Sequence, residues 1–310
     1  WFNFAETPRS LAEKGGVNPT PLTPGMFGYS LLRSSLHHEY FHALLDQLGA
    51  FGVPIEGLHT ETGPGVYEAA ILHAPALEAA DRAVLFKTGA KEIAYRHGVM
   101  ASFMAKWNAE LPGCSGHVHQ SLWREGQPVF HDADAEHGMS PLFRQYVAGQ
   151  LALLPELAAL FAPTVNSYKR LVEGMWAPTT ATWAVDNRTV ALRVIPGSAK
   201  STRLETRVGG ADLNPYLGVA AALGAGLWGI EQGLALTDAP VLGNGYAQTG
   251  AVRLPRTLAE AADRLEASEV ARTLFGDAFI DHYVATRRWE WRRYCQAVTD
   301  WELKRYFEII

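Results

Sequence analysis

Apolar residues recur at helical spacing over 31–49, and the run stops at Gly49. The same period is stronger over 75–97, with Pro75 at its start and Gly98 just past its end, and it predicts an amphipathic helix. Further helices are predicted over about 141–160 and, after Asn214-Pro215, over about 214–235; two long helices are expected to close the chain. Elsewhere the period shortens to two. Residues 53–72 read as two short strands around Gly63-Pro64-Gly65, 99–123 alternate like strands, and 176–208 are rich in Thr, Val, Trp and alternating Arg. The opening Trp1-Phe2-Asn3-Phe4 is strand-like and reads as the inside of a domain rather than its edge. Residues 17–28 and 236–256 are Pro/Gly-rich loops. Strands and helices interleave without βαβ regularity, so the expected class is α+β, with a curved antiparallel sheet flanked by helices and one domain over 1–310.

Composition narrows the function. A chain of 310 residues with 48% hydrophobic and 19% charged residues is expected to be globular, with a core large enough to need no disulfide. Its two cysteines, Cys114 and Cys295, lie far apart, which points to a reducing compartment and a cytoplasmic protein. Net charge is −5 with no basic block, so nucleic acid is not an expected partner. Apolar stretches are broken well before the roughly 20 residues of a membrane span.

Two short motifs mislead. His38-Glu39-Tyr40-Phe41-His42 is an H-E-x-x-H on a predicted helix, which in a zinc protease would put two ligands on one face. The bland reading is that Tyr40, Phe41, Leu44 and Leu45 pack while the polar groups meet solvent or a neighbour; no third ligand is obvious, with Glu56 and Glu61 no more than candidates. Gly224-Ala225-Gly226-Leu227-Trp228-Gly229 spells G-x-G-x-x-G, but within a helical stretch rather than at a strand–helix turn. Close helix packing explains it better. No G-x-x-x-x-G-K-[ST] is present, so any use of ATP must rest on something other than a P-loop.

Three segments concentrate polar groups in strand-like sequence. Glu61 and Glu68 are seven apart and would sit on opposite faces of a straight strand, but the Gly-Pro-Gly between them permits a fold-back. His117, His119 and Ser121 share a strand face, as do Arg203, Glu205 and Arg207, the latter opposite Leu204 and Thr206. Each alone reads as a solvated face. Together, carboxylates and imidazoles suit Mg²⁺ or Mn²⁺, and arginines beside hard cations suit phosphoryl transfer. The expectation is a metal-dependent enzyme acting on an anionic, phosphate-bearing substrate.

The ordered segments HTETGPGVYE, KEIAYRHGVMASFMAKW, GHVHQSLW, NSYKRLV, DNRTVALRVIP and RLETRVGGADLNPYL resemble the signature segments of the glutamine synthetase family, over nearly the whole chain. The resemblance implies the family's catalytic domain and an ATP-dependent ligase that phosphorylates the γ-carboxylate of glutamate and then lets an amine displace phosphate. It implies Glu61, Glu68, His117 and Glu205 as metal ligands for two or three Mg²⁺ or Mn²⁺ ions. Glu56, His119, Ser121, Lys200 and Arg203 match nucleotide-binding positions; Gly113, Arg170 and Arg207 match glutamate-binding ones; Arg188 and Arg193 match arginines that steady the transferring phosphate. It also implies a homo-oligomer, a double ring, with sites between subunits.

Two departures from the family pattern matter. The small N-terminal β-grasp domain and its Glu-x-Glu strand are absent from this sequence; Trp1-Phe2 resembles the residues right after that motif, so a fragment is expected. And where glutamine synthetases carry a flap Glu after K-R-L-V, this chain has Trp176, with Glu173 as the alternative under a shifted alignment. An indole takes no proton, but it lines an apolar or cation–π pocket. The preferred reading is therefore a γ-glutamyl amide ligase for a polyamine, alkylamine or aromatic amine. Glutamine synthetase proper, using ammonia, and a catalytically silent structural relative are the alternatives.

Overall fold

The strongest helical period becomes one helix, Ala76–Arg96, which buries Ala80, Phe86, Ala90, Ile93 and Ala94 on one stripe. In this computed structural model, which describes residues 1–309, other predicted helices are interrupted. The 31–49 run divides into Leu31–Leu36 and His38–Ala50 because His37 leaves helical geometry (φ −117°, ψ 31°). The 141–160 run is Pro141–Leu153 and Ala158–Phe161, and 214–235 is Pro215–Glu231. The chain closes on four helices rather than two: Leu258–Ala267, Glu269–Phe275, Asp277–Cys295 and Asp300–Tyr306. Ser268, whose Oγ accepts from the Ala271 N–H, starts the second of these, and Gly276 at φ 82° starts the third. Among the described residues, no helix is long and apolar enough to cross a membrane.

Ten strands are short: β1 (Phe2–Phe4), β2 (Ile55–Thr60), β3 (Tyr67–Ile71), β4 (Met100–Ser102), β5 (Val118–Gln120), β6 (Trp123–Arg124), β7 (Gln127–Pro128), β8 (Trp183–Val185), β9 (Leu192–Ile195) and β10 (Arg203–Thr206). The 99–123 stretch is therefore mostly loop. The largest sheet runs β5-β10-β9-β8; its first two pairings are antiparallel, but β8 and β9 run parallel. The short connection over 186–191, with Asp186 left-handed at φ 51°, makes that parallel return. β2 and β3 form a separate hairpin, and β1 pairs with β4. The single antiparallel sheet expected to carry all the candidate ligands is thus two sheets, one of them mixed.

The back of the four-stranded sheet makes the main core. Leu192, Val194 and Leu204 are fully buried there with Phe143, Tyr146, Val147 and Ala222. The Pro141–Leu153 and Pro215–Glu231 helices cross backbone to backbone: a Cβ on Gly149 would come within 2.6 Å of the Gly229 Cα, and one on Gly226 within 2.1 Å of the Tyr146 ring. This accounts for the glycine motif without a nucleotide. A closed polar network joins sheet to helix. Gln120 Nε2 donates to Thr206 Oγ1 (2.9 Å), Thr206 Oγ1 to Gln150 Oε1 (2.6 Å), and Tyr146 Oη to Gln120 Oε1 (2.8 Å). Such a network is costly unless every member is satisfied, and here it fixes the register of the strands that carry the site.

A second cluster packs Trp1, Tyr40, Phe41, Leu44, Leu48, Tyr67, Phe86 and Ile93 under the β2–β3 hairpin. Tyr40, Phe41 and Leu44 are buried as expected of the H-E-x-x-H helix, whereas Leu45 is exposed. His38, Glu39 and His42 all face solvent. Among the described residues, the group of three metal-type ligands lies elsewhere, so the zinc-protease reading falls away.

Candidate active site

One row of side chains crosses the front of the four-stranded sheet. In register, His119 of β5 opposes Glu205 of β10, which opposes Arg193 of β9. His117, Arg203 and Arg207 are two residues away on the same face, by the strand period. The Glu205 carboxylate, 3% exposed, gathers the row: Arg207 Nη1 donates to its Oε1 (2.6 Å), Arg193 Nη1 to its Oε2 (3.1 Å), and His117 Nδ1 lies 2.9 Å from Oε1. Burial pushes this carboxyl up, but the His117 hydrogen bond and the Arg207 charge hold it well below the usual carboxylate range. Burial takes His117 down to about 4, so its ring is neutral at pH 7, with Nδ1 directed at Glu205 and a buried Nε2 that has no protein partner. Arg193 is steadied from behind by Asp186 (Nη2 to Oδ1, 2.5 Å), a partner the sequence pattern did not single out.

The remaining arginines differ. Arg207 is buried, its Nη2 donates to the Trp176 carbonyl (3.4 Å), and its Nε has no protein partner. Arg170 is 1% exposed, and its donors go to Val208 O (2.9 Å), Arg207 O (3.0 Å) and Ser115 Oγ (2.7 Å). Those contacts make it a brace under Arg207 rather than an open fork. Gly113 is where it is because a Cβ there would meet Ala105 O at 2.5 Å and Arg170 Cγ at 2.8 Å. Arg188 is exposed beyond β8; the Tyr29 hydroxyl beside it raises its pKa first, and the Glu205 and Glu61 charges add to this.

On the hairpin, β2 pairs with β3 so that His59 stands opposite Glu68, and Glu61 lies two residues beyond His59. His59 Nδ1 is 3.9 Å from Glu61 Oε2, and Nε2 is 3.9 Å from Glu68 Oε2. The three offer ligand atoms within 4.8 Å of one another. Glu68 is raised by burial and by the Glu61 carboxylate beside it; in Glu61 the opposing effect of burial is outweighed by the Thr62 N–H (2.7 Å) and by Glu68. Two carboxyls with an imidazole between them, all within that distance, fit a hard divalent cation. His59 was missed in the sequence: 59 and 61 share a face by strand period, but setting 59 opposite 68 takes the register of the hairpin.

The nucleotide-matching positions scatter more. His119 Nδ1 accepts from Arg203 Nε (3.1 Å), and Ser121 Oγ accepts from Trp123 Nε1 (3.0 Å), so these edge the same sheet. Glu56 is exposed at the bulge of β2, and Lys200 is exposed in the turn before β10. Trp176 is half-exposed with a left-handed backbone (φ 54°), and Glu173 is exposed on the same loop.

The glutamine synthetase catalytic-domain profile matches residues 14–306. The chain is 55% identical to type-1 glutamine synthetase 2 of Dictyostelium discoideum, covering all of this chain and 60% of that protein. It is 41% identical to the glutamate–isopropylamine ligase of a Pseudomonas species (89% of this chain, 62% of that one). It is 42% identical to the γ-glutamylethanolamide synthetase GlnA4 of Streptomyces coelicolor (93% and 61%). A solved structure of GmaS with ADP superposes with a TM-score of 0.84 at 34% identity, covering 92% of this chain and 67% of that one. The chain thus spans about 60% of the length of these curated relatives.

Proposed function

This chain belongs to the glutamine synthetase family, and from that premise we propose that the full-length protein is an ATP-dependent ligase joining the γ-carboxylate of glutamate to an organic amine. The observation that carries the reading is the pairing of a carboxylate–imidazole cluster at His59, Glu61 and Glu68 with an arginine-bound row at Glu205. Arg207, with its free Nε, holds a glutamate carboxylate through charge-assisted contacts, and Arg170 braces it. Arg188 and Arg193 neutralise the phosphoryl group in flight. An oxygen of the γ-carboxylate attacks the γ-phosphorus of ATP, ADP leaves, and the acyl carbon gains a good leaving group. The amine nitrogen then attacks that carbon, inorganic phosphate departs, and the nitrogen loses a proton.

Divalent cations such as Mg²⁺ or Mn²⁺ supply charge neutralisation at the reacting oxygens when bound. Glu61, Glu68 and His59 fit one; His117 and Glu205 offer two donors for another, which needs further ligands from outside this pair. Trp176, half-exposed beside Arg207, offers an indole face where a flap carboxylate would draw in ammonium. The names of two relatives, an isopropylamine ligase and an ethanolamide synthetase, support an organic acceptor. The family's double-ring assembly and a cytoplasmic setting belong to the same proposal.

The test is phosphate release by full-length protein supplied with ATP, glutamate and a panel of amines. Release that needs all three is expected; release independent of glutamate would sink the reading.

A further inference from the structure

Tyr29 has no role in the mechanism above, yet its setting is unusual. It is a non-glycine residue at φ 55°, a region aromatic residues rarely visit. Its backbone is pinned there: its N–H donates to Thr60 O (2.6 Å), the next N–H, of Ser30, donates to Thr60 Oγ1 (2.9 Å), and Gly28 sits so close that a Cβ would be 2.8 Å from Thr62 Oγ1. The side chain is 57% exposed, so core packing does not call for it. Instead the ring stacks on His59, centroids 4.5 Å apart and planes 25° apart. The same His59 has a nitrogen 3.9 Å from each of Glu61 and Glu68.

We propose that Tyr29 is a positioning residue that orients His59 with its ring, and so holds the imidazole between the two carboxylates. Backbone strain persists where the surroundings over-determine it, and here the surroundings are the site itself. A ligand imidazole depends on its neighbours for ring orientation, and loss of such a neighbour typically costs about 10-fold or more in metal affinity. The proposal rests on the ligase reading for its turnover readout, but not for the stacking on His59.

The experiment uses full-length protein with Tyr29→Phe, Tyr29→Leu and Tyr29→Asn. The Phe variant keeps the stack, so its kcat for phosphate release and its Mn²⁺ affinity should match the parent's. The Leu variant loses the stack, so its kcat should fall and it should bind Mn²⁺ about 10-fold more weakly by calorimetry. The Asn variant tolerates the left-handed backbone, so its Tm should equal or exceed that of the parent while kcat falls about 10-fold. A residue serving only the fold would show the reverse, with Tm lost and kcat per folded protein retained, and that result would overturn the proposal. So would unchanged kcat and Mn²⁺ affinity in the Leu and Asn variants. Failure of the ligase reading is separately visible as no glutamate-dependent phosphate release by the unmodified protein; the Mn²⁺ comparison of Phe with Leu then decides the matter for Tyr29.

Discussion

The hairpin group and the sheet row both concentrate charge, but they neutralise it in opposite ways. On the hairpin, Glu61 and Glu68 have His59 as their ion-pair partner among the described residues, and Glu68 is half-exposed. In the sheet, one buried carboxylate, Glu205, is held by two guanidiniums and an imidazole. The first arrangement is short of positive charge and suits an added cation. The second neutralises its carboxylate internally, so its arginines suit an added anion, while His117 and Glu205 offer only two donors to a cation. On the proposed reading, phosphoryl transfer between two anions would use both kinds of pocket.

The contrast breaks most sharply at Glu205. Glu205→Gln leaves Arg207, 4% exposed, without its counter-charge. Removing one partner of a buried pair costs about 3 kcal/mol or more, so urea unfolding should show a loss of that size, and a change under about 1 kcal/mol would contradict the account. Next, Arg207→Lys keeps the charge and loses the planar fork that reaches Glu205 and Trp176 together. A fall of about 10-fold or more in kcat/KM is expected, equal to about 1.4 kcal/mol; an unchanged value would remove Arg207 from the substrate's site.

The hairpin should respond in the opposite sense. Glu68→Gln relieves a like-charge contact, so in metal-free buffer its stability should hold or rise by about 0.5 kcal/mol or less. With millimolar Mg²⁺ the parent should gain more in Tm than the variant, since a ligand that binds the native state stabilises it. Equal gains in scanning fluorimetry would move the cation elsewhere.

The smallest effect sharpens the comparison with an ion pair outside the site. Glu6, bonded to Lys14, Ser10 and the Thr20 N–H, titrates near 2 in place of 4.5, with Lys14 the largest cause. A depressed carboxyl contributes stability that is present above 4.5 and lost as pH falls through that window toward 2. The Tm difference between parent and Glu6→Gln should therefore be open at pH 7 and close below pH 4.5; a constant difference would mean that the contact, not the charge, matters.

How much was legible in the sequence depends on which forces are local. The shared face of 117 and 119 and of 205 and 207 was legible because strand period depends on the backbone alone. The fold-back joining Glu61 and Glu68 was signalled by Gly-Pro-Gly, which only a turn explains. His59 opposite Glu68 required the register, which no single strand encodes. The commitment of Arg170 to Val208, Arg207 and Ser115 depends on where three distant segments meet. The parallel return of β9 onto β8 turns on Asp186 taking a left-handed backbone, and nothing in an Asp announces that. The break at His37 splits a run whose apolar spacing continues across it.

The central claim is that an indole at Trp176 has replaced an ammonium-binding carboxylate, so that the acceptor is an organic amine. Burial of an amine's apolar surface is worth about 25 cal/mol per Å², and a cationic amine over the ring adds about 0.5–2 kcal/mol. The direct measurement is a competition between ammonia and a set of amines, scored by product mass, for the full-length protein and its Trp176→Glu variant. The account predicts γ-glutamyl amides of an organic amine from the parent and a shift toward glutamine in the variant. Equal or better use of ammonia by the parent would contradict it and make the protein a glutamine synthetase proper.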